Sequence, residues 1–161
     1  VLFLDEPTTG LDPLSRRQLW EIIRDFQQAG GTVLITTHYM DEAERLCDRV
    51  AIVDHGRIIA LGTPAELIAS LGAEHVVEFA LAEGQGRASL AQDGLNTLPT
   101  VRSVREESGN YLLTVAEPHL ALPGLFQWLT REKLELARLT TRHASLEDVF
   151  VALTGRHLRE E

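Results

Sequence analysis

Two continuous apolar runs separated by a single helical pattern decide most of what this chain can become. Val1-Leu2-Phe3-Leu4 and Val33-Leu34-Ile35 do not alternate with polar residues, so each suits a strand buried on both faces of a parallel sheet. Between them, Leu14 to Gln28 places Leu19, Ile22, Ile23 and Phe26 at helical spacing, and Ala29-Gly30-Gly31 supplies the stop. Trp20 flanks that stripe and reads as core, while Arg16, Arg17, Glu21, Arg24 and Asp25 read as a solvated face. Strand, helix and strand in this order form a right-handed crossover, which leaves both strands ending on one sheet edge.

In open α/β sheets that edge binds ligands, and here both strands run into reactive side chains. Asp5 and Glu6 follow the first run at once, and His38 closes Thr36-Thr37-His38 after the second. Asp5 can hold a hard cation, directly or through its waters, and Glu6 can point at an attacking water and take its proton. The same residues also fit a strand followed by an acidic turn, with Asp12 as N-cap and Pro13 at the first helical position. Capping does not exclude a functional role for Asp12.

With Thr8-Thr9-Gly10-Leu11-Asp12 added, VLFLDEPTTGLDP resembles the ATP-binding subunit of ABC transporters. In that resemblance VLFLDE is the Walker B strand, Gly10, Leu11 and Asp12 belong to the D-loop, and His38 matches the switch histidine. DRVAIVDHGRIIALGTPAEL, which follows, also looks like the family, so the likeness covers about residues 1–72. The family's phosphate loop and Ser-Gly-Gly-Gln signature are not found, and Gly84-Gln85-Gly86 does not substitute for them. The resemblance therefore implies the C-terminal part of a longer subunit, inactive as an ATPase on its own.

Composition narrows the remaining classes. Net charge is −9 with a pI near 5.1, divided as six basic against eleven acidic residues through Gly72 and nine against thirteen beyond it. An acidic balance on both halves argues against a nucleic-acid partner. The single cysteine, Cys47, forbids an internal disulfide and reads as a small buried apolar residue. No run approaches the roughly 18 apolar residues of a membrane span.

Arg49 to Asp54 and Arg57 to Leu61 read as two strands around the turn Asp54-His55-Gly56, and Thr63-Pro64 as a helix start. The pattern changes near Leu71-Gly72-Ala73. Beyond it Glu74–Leu81, Arg87–Leu95, Val101–Glu106, Tyr111–Val115, Leu120–Glu132 and Leu134–Thr140 alternate as β-α-β-β-α-β. That order predicts a ferredoxin-like α+β domain over 73–161, after the α/β ATPase part at 1–72. His119 and His143 read as surface residues, and Ser145-Leu146-Glu147-Asp148 opens a terminal helix. A similar Leu-Glu-Asp-Val-Phe helix ends an extension carried by drug- and antibiotic-resistance exporter subunits, where it is thought to assist regulation or subunit contacts.

Carried over residue by residue, the resemblance implies that Asp5 organises Mg²⁺, that Glu6 is the general base for ATP hydrolysis, and that His38 holds the γ-phosphate. Asp12, with Gly10 and Leu11, would contact a second ATP-binding subunit across a homodimer. A transmembrane permease would be the other partner, placing the subunit peripherally on the cytoplasmic face and powering transport, with export favoured. The rivals are a soluble ATPase of the same superfamily acting on ribosomes or DNA, and a non-catalytic regulatory or subunit-binding module. Asn-His in place of Thr9-Gly10 would mark the first rival's translation factors, and it is not present.

Overall fold

The computed structural model describes residues 1–82 and 91–155, without the side chains of 91–93. The Gly84-Gln85-Gly86 loop and the first part of the helix expected over Arg87–Leu95 lie outside the described residues. The chain divides into two units, Val1–Leu67 with the segment from Ser145 onward, and Ile68–Ala144. The boundary thus falls a few residues before Gly72, and the terminal helix groups with the first unit rather than with the second. The physical reason lies in one helix–helix contact and in a hydrogen bond, 3.1 Å, from the Leu146 N–H to Glu44.

In the first unit, β1 (Leu2–Asp5), α1 (Pro13–Gln28) and β2 (Val33–Thr36) make the expected crossover, with β1 and β2 parallel and Asp5 opposite Thr36. The helix begins where sequence places it, because Asp12 accepts from the Leu14 and Ser15 N–H groups at 2.9 and 3.1 Å. It ends in a Schellman motif: Gly30 turns left-handed (φ 87°), its N–H reaches the Gln27 carbonyl, and the Gly31 N–H reaches that of Phe26.

The buried stripe is rotated from the expected one. Trp20 and Ile23 are buried and pack with Leu46, Leu4, Leu19, Val33 and Ile35, whereas Ile22 is 64% exposed and Phe26 also faces outward. The rotation follows from α2 (Met40–Leu46), which draws Arg16, Trp20, Arg24 and Gln27 of α1 into contact with its own residues and those just before it. Neither apolar strand is covered on both faces among the described residues, since Phe3 is 71% and Leu34 58% exposed. Cys47 is half-buried against this core, and burial pushes its thiol up.

β3 (Val50–Asp54) and β4 (Arg57–Gly62) form an antiparallel hairpin. His55 and Gly56 both have positive φ, the requirement of a type I′ turn. α3 (Pro64–Ala69) starts with a reciprocal Thr63–Glu66 capping box.

The second unit contains β5 (His75–Leu81), α4 (Ala91–Asn96), β6 (Val101–Glu107), β7 (Asn110–Val115), α5 (Pro118–Glu132) and β8 (Leu136–His143). Its four strands run antiparallel in the order β6-β7-β5-β8. Val77 and Phe79 alternate onto one face with Leu113 and Val115, and α5 covers them with Leu125, Trp128 and Leu129. Val76 and Leu112 alternate onto the other face, against Ala144, Ile68 and Leu71. Phe79 stacks on its cross-strand partner Tyr111 at 5.2 Å between centroids. α6 (Leu146–Thr154) carries the capping box read in the sequence, between Ser145 and Asp148, and stops at the left-handed Gly155.

A Cβ on Gly31 would stand 2.6 Å from the Phe26 carbonyl oxygen and closer still to its ring. Gly31→Ala therefore displaces backbone at the end of α1. It is expected to destabilise the first unit by about 1–3 kcal/mol, read from Trp20 fluorescence during urea unfolding in a Trp128→Phe background. Unfolding at the parental midpoint would contradict the close approach.

Candidate functional site

The parallel register sets the first constraint on the site. With Asp5 opposite Thr36, the Glu6 N–H donates to the Thr36 carbonyl at 2.9 Å and meets its hydroxyl at 3.2 Å. That hydroxyl in turn donates to the Asp5 carboxylate, fixing the acid at the strand end. Glu6 then takes φ 44°, a left-handed conformation that costs a non-glycine residue about 1 kcal/mol or more. The turn swings its side chain out of the strand direction. One carboxylate oxygen lies 3.3 Å from Nδ1 of His38, and the other accepts from the Thr9 hydroxyl at 3.3 Å.

The adjacent Asp5 and Glu6 and the distant His38 thus share one edge, with Glu6 and His38 partly open to solvent. At such exposure the carboxylate–imidazole contact adds little stability. Its value is geometric: a proton acceptor and a hydrogen-bonding ring converge where a bound group would be reached by both. Among the described residues no three His, Cys, Asp or Glu side chains converge on a metal position.

Gly10, Leu11 and Asp12 follow in a turn closed by Thr9 N–H to Glu6 C=O and Leu11 N–H to Thr8 C=O, both 3.1 Å. Gly10 has φ 77°. Asp12 is engaged within its own chain on both oxygens, one by the Leu14 and Ser15 N–H groups and the other by the Ser15 hydroxyl at 2.5 Å. The Ser15 hydroxyl first, then the Ser15 and Leu14 N–H groups, hold its carboxyl below the ordinary value of 3.8.

Sequence reasoning missed Thr36 and Thr9, which hold Asp5 and Glu6. A strict parallel register could have found Thr36, since it faces Asp5 once the two apolar runs are aligned. It also missed Tyr39. The Tyr39 ring lies 4.1 Å from that of His38, and the Arg16 guanidinium stands 4.3 Å above it.

A family model described as "AAA domain, putative AbiEii toxin, Type IV TA system" matches residues 1–40. The chain is 45% identical to the daunorubicin/doxorubicin resistance ATP-binding protein DrrA of Streptomyces peucetius, over 96% of this chain and 46% of that protein. It is 41% identical to the Nod factor export ATP-binding protein I of Ralstonia nicotianae, over 99% of this chain and 48% of the relative. With the linearmycin resistance ATP-binding protein LnrL of Bacillus subtilis it shares 33%, over 99% and 51% respectively. The chain spans about half the length of the curated relatives it matches.

The depressed Asp12 carboxyl gives a signed pH dependence. Its contribution to stability is full above 3.8 and is lost as pH falls through the lower folded-state value, because the unfolded chain binds the proton first. Asp12→Asn keeps a capping acceptor without the charge. The thermal stability of the two proteins is expected to converge on acidification between about pH 5 and 2. A constant difference over that range would exclude a charge effect at the cap.

Proposed function

Because the chain belongs to the ATP-binding subunits of ABC transporters, of which it spans about half, we propose that it carries the hydrolytic edge of an ATPase domain followed by an accessory domain. Residues 1–40 fit a P-loop NTPase domain of the AAA/ABC kind. The observation that carries the proposal is the Glu6–His38 contact at 3.3 Å, at the carboxyl edge of a parallel strand pair. Glu6 is the general base, taking the proton of the water that attacks the γ-phosphate of ATP, and His38 hydrogen-bonds that phosphate and keeps the water in line. The left-handed turn at Glu6 and the hydroxyl of Thr9 hold the base in place.

Mg²⁺ fits this set of residues, since it is commonly held by one or two carboxylates while phosphates and water fill its other positions. A single acid, Asp5, fixed by Thr36, suits that demand better than a protein cage would. When bound, the cation would neutralise phosphate charge. Asp5 would bind it directly or through water. Gly10, Leu11 and Asp12 would face a second ATP-binding subunit, so that the complete site forms in a homodimer.

The relatives are named for resistance and export, which supports ATP-driven export through a transmembrane permease. The described residues contain no helix long and apolar enough to cross a membrane, and the permease would be what holds the subunit at the cytoplasmic face. We assign residues 1–72 to the ATPase part and 73–161 to a regulatory or subunit-contacting part. Its strand order β6-β7-β5-β8 supports a ferredoxin-like arrangement, with α6 returning to the first unit. The outward apolar side chains of β1–β2 and of the β3–β4 hairpin would be covered by further ATPase-domain chain.

In the complete subunit, Glu6→Gln is expected to keep ATP binding and slow steady-state turnover by about 10² to 10⁴. Asp5→Asn is expected to raise the Mg²⁺ concentration needed for hydrolysis. Near-normal turnover in Glu6→Gln would refute the general-base role and favour a non-catalytic module.

A further inference from the structure

Glu42 is a charged residue with 0% exposure, and no part of the hydrolytic role accounts for it. One carboxylate oxygen accepts from the Trp20 indole N–H at 2.9 Å, and the other has no hydrogen-bond partner among the described residues. A core built for stability alone would place an apolar side chain there, because a buried carboxylate with one oxygen unsatisfied is costly. What a directional buried bond offers instead is a single register, where apolar surfaces could slide.

The surroundings say what that register controls. Glu42 lies in the first turn of α2, whose first hydrogen bond runs from the Ala43 N–H to the Tyr39 carbonyl at 3.2 Å. Tyr39 follows His38 directly, and their rings are 4.1 Å apart. Along α1, Arg16 covers Tyr39 and Trp20, one turn later, bonds Glu42. Farther on, Arg24 and Gln27 donate to the Arg45 and Leu46 carbonyls, both at 3.3 Å. α1 itself starts at Asp12, in the turn that follows Glu6. One helix therefore frames both halves of the site, and its only buried polar bond to α2 among the described residues is Trp20–Glu42.

We propose that Trp20 and Glu42 are positioning residues, a clasp that fixes α2 on α1 and so holds His38 at its working distance from Glu6. This rests on the hydrolytic role assigned to His38 above. The clasp sets geometry at the phosphate and leaves nucleotide affinity alone, because neither residue reaches the ligand edge. Misplacement of a reacting group by about 1 Å can slow a reaction about 100-fold.

Trp20→Phe keeps most of the aromatic volume and removes the donor. In the complete subunit it is expected to lower kcat about 10- to 100-fold with KM for ATP unchanged, counted per folded molecule. Glu42→Gln keeps the acceptor and is expected to retain near-parental kcat. In a His38→Ala background, Trp20→Phe is expected to add no further loss. If Trp20→Phe folds poorly, the double replacement Trp20→Phe with Glu42→Met removes the buried carboxylate altogether and is expected to be stable but slow. Parental kcat in the folded Trp20→Phe or double-replacement protein would overturn the clasp, as would an equal loss from Trp20→Phe with and without His38. Unimpaired hydrolysis by His38→Ala alone would overturn the hydrolytic role itself, and the clasp with it.

Discussion

The parallel pairing of β1 with β2 is the constraint on which the site depends. Its register puts Asp5 opposite Thr36, so one threonine serves two strands: its carbonyl receives the Glu6 N–H and its hydroxyl fixes Asp5. A shift of β2 by one residue would reverse which of its side chains face the core, burying Leu34 in place of Val33 and Ile35. It would also part Glu6 from His38. The apolar contacts that build the small core and the polar contacts that build the site are thus consequences of one alignment. Those polar contacts lie among exposed groups and contribute orientation rather than stability.

Much of this alignment was legible. Two apolar runs joined by one helix leave a single plausible crossover, and Asp12-Pro13 marks the helix start by chemistry that structure repeats atom by atom. The rotated stripe of α1 was not legible, because periodicity finds a helix but not the partner that selects its face. Ile22 and Phe26 fit an apolar stripe as well as Trp20 does. The choice was made by α2, with a glutamate that bonds the indole. Glu42 itself reads as an ordinary acid in a helix's first turn, where the dipole favours negative charge. Only its burial separates it from Asp41 beside it.

The second unit was legible for a different reason. Its strands alternate cleanly, its hairpin at Ser108-Gly109 takes positive φ at both central residues, and its core closes within the unit. The destination of the terminal helix was invisible, because a capping box and an apolar face say that a helix will pack, not against what. Leu146 and Glu44 are far apart in sequence, and no local pattern links them.

We propose that Glu6 and His38 act as one unit on the same phosphate, because one strand register brings them together. A double-mutant cycle on the chemical step, measured by single-turnover ATP hydrolysis in the complete subunit, tests it most directly. If the two act together, Glu6→Gln combined with His38→Ala is no slower than the slower single variant. If the losses multiply, the two side chains act independently, and the contact at 3.3 Å is not the working element of the site.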